Sequence, residues 1–476
     1  MKVLIQSIKF AMVFFSLSIH AQSFEGIPVS IRNQELTKTF KHVEVYQLNS
    51  RDINDFVKRS ANGTAIKLTF GRQSFDWKVY ENNMLRPDFR MTTMVDGKHV
   101  DVPFDPACRT YIGYRDDMEQ DARFTISGEN FAAMIPVGDK YVMIQSLRDF
   151  IRTADTDLFV VYQPSDVITP NGTMCTSQKL IPFDIEHKEH IDLPKRPSQA
   201  ENRTFSCKEL EVAFATDNRM WIDYASTDAI LNYTLSVMNI MEPFYNDFDF
   251  DFWVQDYFIV TSNSSNDNPW GTTLYMDDLK SDFEDWADDY FGAQDIGHLW
   301  TAGDVFGDEG NGLLGRADVG GACGDIGITP WTVLENFALN DLYELALLQA
   351  HEYGHLFDAD HVTGGGTIME PNFGNITSAT WHAESIDDIN SFIVDEPCIQ
   401  SCIQCPIIYN IIDYIGWGDW KYSAMDRIHS RSIINGSADV VFHAANYIRL
   451  LPGFQATSHE PTSGNGTLIA KIAGCE

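Results

Sequence analysis

Residues 351–361 read HEYGHLFDADH and carry the strongest chemical signal in the chain. His351 and His355 are four apart, so on a helix both imidazoles leave the same face, one turn above the other. His361 lies six further on and can join them only if the helix stops and the chain doubles back. Three neutral imidazole nitrogens would leave a zinc ion one open position for water, the arrangement of a catalytic site. Glu352 follows the first histidine, where a carboxylate can take a proton from that water. A rival ligand set would put Asp358 or Asp360 in place of His361. The blander reading is a buried helix that happens to carry histidines.

The segment NDLYELALLQAHEYGHLF, 340–357, reads as a mostly buried helix that delivers the motif. From 208 onward strands and helices alternate. KELEVAFAT reads as a strand, and Leu231, Leu235, Met238 and Met241 form a helical stripe. Phe248, Phe250, Phe252 and Val254 alternate as in a strand, and Leu279, Phe283, Trp286 and Tyr290 form a second helical stripe. HLWT (298–301) and GLLGRADVG (312–320) read as further strands. Ser385 and Asp388 suggest a capping box for a helix through Ile393. This succession predicts an α/β layer with a central sheet and the metal helix packed beneath it. Residues 22–190 contain alternating runs such as HVEVYQL (42–48) and AIKLTF (65–70) and read as a β-rich module. IDLPKRPSQAENRTFS, 191–206, is the best linker, and 401–476 read as a small all-β module.

A chain of 476 residues with 44% hydrophobic and 12% aromatic residues has material for two or three packed domains. Its formal charge of −34 argues against nucleic acid or an anionic membrane as partner. Acidic loops could hold calcium, although no EF-hand or glycine-rich calcium repeat signals it. Lys2 and Lys9, the apolar run FAMVFFSLSI at 10–19 and Ala21 read as a secretory signal over residues 1–21, so the mature chain is expected outside the cell. Export permits disulfides among the eight cysteines, and the Cys402–Cys405 spacing lacks the second pair of a structural zinc site. A further His-x-x-His, His187 and His190, reads as a solvated charged segment, and the eight Asn-x-Ser/Thr sequons carry no assignment.

The zinc motif resembles the metzincin signature His-Glu-x-x-His-x-x-Gly-x-x-His followed by a Met-turn. Met369, in GGGTIMEP, is the Met-turn candidate, and Asp358 stands where the family has glycine. That position ends the helix with a positive φ, which Asp tolerates better than most residues. No tyrosine occupies the second position after Met369, which points away from astacins and serralysins and towards the reprolysin (adamalysin) branch. The resemblance implies an α/β (α+β) catalytic domain over 207–400, with a central twisted sheet and a zinc-binding active-site helix. It also implies a disulfide between Cys323 and Cys398, with Cys402 or Cys405 as competing partners of Cys398. Residues 40–180 resemble a reprolysin-type propeptide through CRTYIGY (108–114), FTISGENFAAMIPVGDKYVMIQSL (124–147), DLFVVYQ (157–163) and TMCTS (173–177). By that resemblance Cys175 is the candidate to cap the zinc and hold the enzyme latent. Thr176 replaces the usual glycine, and a Cys108–Cys175 disulfide stays open as an alternative. The last segment resembles the β-modules that end many secreted proteins of Bacteroidetes-type bacteria.

These readings converge on a secreted zinc endopeptidase made as a precursor. His351, His355 and His361 would hold the metal, Glu352 would act as general base, and Gly315–Gly321 would present an edge strand to a peptide substrate. The competing classes are a secreted binding protein that keeps the metal fold without turnover, and a zinc hydrolase of non-peptide bonds.

Overall fold

The computed structural model describes residues 21–60, 63–115, 118, 120–128, 130–168, 175, 203–204, 208–291, 294–307, 310–324, 328–336, 341–396, 398–401 and, in stretches, 408–472. The first module is a closed barrel of nine strands that runs from Gln22–Pro28 to Leu158–Tyr162. Period-two alternation builds it. Ile66, Leu68 and Phe70 on one strand and Phe75, Trp77 and Val79 on the next all point into the barrel core. The two runs read as strands from sequence form Glu44–Gln47 and Thr64–Phe70.

Residues 85–101 leave this barrel. They form a hairpin, β1 (Leu85–Val95) and β2 (Lys98–Asp101), that joins the sheet of the second module. That sheet also contains β3 (Lys208–Thr216), β4 (Phe250–Ile259), β5 (Ile296–Thr301), β6 (Gly315–Arg316) and β7 (Trp331–Glu335). The spatial order is β6-β7-β5-β3-β4-β1-β2. β1, β4, β3, β5 and β7 run parallel, and β6 and β2 are antiparallel at the two edges. Continuous apolar strands such as β5, buried at every position, suit a sheet covered on both faces. The covering helices are α1 (Thr227–Met241), α2 (Met276–Tyr290), α3 (Leu342–Leu356) and α4 (Ala383–Asp395).

Two expected elements differ in detail. Of 312–320 only Gly315 and Arg316 pair as strand, because the chain turns at Gly320, whose φ is +74°. The last helix starts at Ala383 with His382 as its cap, and Ser385 lies inside it, fully buried. The His382 ring nitrogen accepts the Glu384 amide at 3.3 Å and so takes the role expected of Ser385.

The C-terminal module stacks parallel strands. Ile408–Ile411 pairs with Arg427–Ser430, which pairs with Tyr447–Leu450, while Tyr414–Ala424 pairs with Ile433–Ala444. Partners lie about twenty residues apart, the geometry of a short β-solenoid.

Candidate metal centre and active site

α3 is a helix because Asp341 caps it, its carboxylate accepting the Glu344 amide at 2.8 Å, and because it runs to Leu356 with neither Pro nor a β-branched residue. Every one of its residues is buried, which places His351, Glu352 and His355 in a dry environment. The helix stops in a Schellman turn. The Asp358 amide donates to His355 O at 2.9 Å, and the Ala359 amide donates to Gly354 O at 3.0 Å. Asp358 takes a φ of +69°, the left-handed conformation that the motif demands at this position. The chain then reverses and returns His361.

The three histidines meet through their Nε2 atoms. His361 Nε2 lies 3.2 Å from that of His351 and 3.1 Å from that of His355. His351 Nδ1 is 2.6 Å from Ile368 O and His355 Nδ1 is 2.8 Å from Ala359 O. A carbonyl can only accept, so both Nδ1 atoms carry the protons and both Nε2 atoms present bare lone pairs. Burial pushes His351 down to about 3 and His355 well below the ordinary histidine value, and it lowers His361 as well. All three rings are therefore neutral near pH 7. Lone pairs packed this closely repel unless a cation sits among them. Tetrahedral zinc with Zn–N of about 2.0–2.1 Å requires nitrogens about 3.3–3.4 Å apart, so the donor set fits that ion.

Cys175 completes the group. Its Sγ lies 3.6 Å from His355 Nε2, and the ligand atoms of Cys175, His351, His355 and His361 all fall within 4.8 Å of one another. A thiolate and an imidazole on the same tetrahedral zinc stand about 3.6 Å apart. Cys175 is buried, makes no disulfide and donates its amide to Pro371 O at 3.0 Å. Cys108 is likewise unbridged, so the two do not pair. Asp358 faces Gly320 across the Schellman turn and Asp360 is exposed; neither belongs to the donor group.

Two glycines shape the site, Gly315 in a role beyond the expected edge strand and Gly354 in one that the sequence reading does not assign. A Cβ on Gly315 of β6 would lie 2.5 Å from Glu352 Oε1, so the bare backbone there makes room for the carboxylate. A Cβ on Gly354 would lie 2.7 Å from Met369 Sδ and 2.9 Å from the Trp381 ring, so this glycine lets the Met-turn close against the helix. Met369 is fully buried there. The motif signals neither glycine in advance, because a close approach is a property of the partner as much as of the residue. Cys323 and Cys398 are joined by a disulfide. His187, His190, Cys402, Cys405 and Cys475 lie outside the described residues.

A buried helix with three converging neutral imidazoles, a carboxylate beside them and a sheet edge alongside defines a metal-dependent hydrolase site. Residues 206–381 match the family described as Metallo-peptidase family M12. The match covers the segment that carries the three histidines and Glu352, and it supports a metalloprotease domain there. Among solved structures, that of metalloproteinase-II from Bacteroides fragilis is 12% identical, with a TM-score of 0.42, covering 72% of this chain and 95% of that one. No curated protein matches the chain. Among the described residues no helix is long and apolar enough to cross a membrane.

Proposed function

We propose that the chain is an exported zinc endopeptidase made as a latent precursor, in which residues 1–21 direct export and 22–190 precede a cut within 191–206. The observation that carries the reading is the meeting of three bare Nε2 atoms beside Glu352. His351, His355 and His361 would hold the zinc, which supplies an acidified water and a Lewis acid for the scissile carbonyl. Glu352 takes the proton from the water as it attacks and delivers it to the departing amine. Its carboxylate is held between α3 and the open backbone of Gly315, so it reaches the substrate side of the helix. β6 lies at the edge of the sheet, where an extended peptide could add as a further strand beside Glu352. Met369 supplies an apolar floor.

Cys175 accounts for latency. Its sulfur lies within 4.8 Å of the three histidine donors, where a thiolate, a strong ligand for zinc, would take the position left for water. The uncut Cys175→Ala chain should hydrolyse an unfolded protein that the uncut wild type leaves intact. An equally silent variant would remove the cysteine from the account. The peptidase reading itself is tested by incubating the cut protein with a peptide library, with and without a chelator. Chelator-sensitive cleavage is expected; zinc binding with no cleavage of any peptide would favour the binding-protein reading.

A further inference from the structure

We propose that the barrel of residues 22–168 is a permanent subunit of the protease, which stays bound after the linker is cut while Cys175 leaves the metal. The proposal rests on the latent-precursor reading for the cut and on the interface for its outcome. β4 is bordered on one side by β3 and on the other by β1, which comes from ahead of the linker. Val254 pairs with Leu85, and Asp256, Tyr257 and Phe258 pair with Arg90, Met91 and Thr92. Departure of the barrel would strip the hairpin from the sheet and leave β4 as a bare edge, a template for aggregation.

The side chains repeat the argument. Met84, Phe89, Met91, Met134 and Met143 belong to the same apolar cluster as Phe214, Val237, Val254 and Leu345, so one core runs through both modules. Separation would expose it on both pieces. The charges are matched and dry: Arg123 pairs with Glu242, with side chains only 4% and 8% exposed. Asn82 donates to the same Glu242 carboxylate at 2.9 Å. Arg109, with a side chain 2% exposed, reaches Asp228 at 2.7 Å and Asn232 at 2.5 Å. Arg86 bridges Glu209 and Glu211 on β3. Breaking an ion pair as buried as Arg123–Glu242 strands a charge in each half, which is strongly unfavourable until water reaches both.

Cys175 stands outside this joint. The chain stays tied to the barrel as far as Ile168, whose amide donates to Thr39 O at 2.8 Å. Cys175 follows seven residues later and lies against the Met-turn loop at Pro371 instead. A cut beyond it turns that stretch into a free-ended tail without touching the sheet or the shared core. The two roles usually merged in one propeptide, completing the fold and blocking the metal, thus fall on separate pieces of chain.

The test is made on the full chain, with a recognition site for a sequence-specific protease placed within 191–206. After nicking, the sample is run by size exclusion under native conditions, and each fraction is resolved under denaturing conditions and assayed. Both pieces should share one peak at the elution volume of the uncut chain, and that peak should carry the protease activity. Separate peaks, with a soluble active piece lacking the barrel, would overturn the proposal. A shared peak without activity would leave the subunit in place and count against the Cys175 reading alone. A second measurement uses Arg90→Glu, which sets a carboxylate against Asp256, 2.8 Å away in the native pair. The nicked variant should dissociate on dilution severalfold faster than the nicked wild type; equal rates would mean that the β1–β4 seam does not hold the pieces together.

Discussion

A methyl group added at Gly315 would press on Glu352 Oε1 from 2.5 Å and on its Cγ and Cδ from 2.7 Å, so the side chain must shift. Gly315→Ala is therefore expected to keep the fold and its zinc while displacing the general base, so kcat should fall and metal content should not. Metal analysis beside steady-state kinetics checks it, and unchanged kcat would show that Glu352 has slack. Glu352→Gln is the cleaner lesion. It keeps size and an acceptor but removes the basic site, so activity should drop by about 10²–10⁴-fold. Its zinc content and melting point should stay near wild type, because the imidazoles are the ligands. Activity within about tenfold of wild type would mean that another group is the base. These two variants bear on one carboxylate from opposite sides, its chemistry and its position.

At the scale of elements, the end of α3 decides whether His361 can return. Asp358 holds φ at +69°, where most side chains cost about 1–2 kcal/mol and glycine costs nothing. Asp358→Gly should therefore retain zinc and gain up to about 1 kcal/mol, whereas Asp358→Val should lose stability and metal together. Thermal melts with parallel metal analysis decide it; a Gly variant that loses zinc would give Asp358 a role beyond its backbone. The Cys323–Cys398 bridge closes a loop across a separation of 75 residues. Its removal by Cys398→Ser should cost up to about 4 kcal/mol, with less expected where the unfolded chain keeps structure. Much of this scale was readable from sequence because it is local: the four-residue histidine spacing, the stripes of α1 and α2, the positive φ after the helix. What escaped was non-local. LRPDFRMTTMV announces a strand, but nothing in it names β4 as neighbour, since parallel pairing is settled by a surface built far along the chain. The approach of Gly315 to Glu352 and of Gly354 to Met369 escaped for a related reason, because each rests on an absence that only a neighbour reveals. The solenoid escaped because its rungs share strand spacing rather than residues.

The whole molecule carries a formal charge of −34, and some of its carboxyls are buried. Asp341, at the start of the zinc helix, is fully buried and accepts the hydroxyl of Tyr162 from the barrel; burial pushes it up to about 6. Burial likewise raises Asp295, which accepts the Glu211 amide, to about 6. A carboxyl raised in the native state lends stability that is whole below its unfolded value of 3.8 and is lost as pH rises through its native value. Self-repulsion strengthens over the same interval, because the chain sheds protons and its negative charge grows. The intact chain should thus melt at a higher temperature at pH 5.5 than at pH 8, and Asp341→Asn should flatten part of that slope by calorimetry. A melting point that climbs towards pH 8 would contradict both causes. At the far end, the parallel strands of 408–450 stack at steps of about twenty residues. A stack of this kind tolerates changes of length only in whole steps. Loss of one full rung brings the next into the vacated register, while loss of a single residue within a strand turns every side chain that follows it in that strand to the opposite face. Related chains should therefore differ in this region by multiples of the step, as a spring differs by turns.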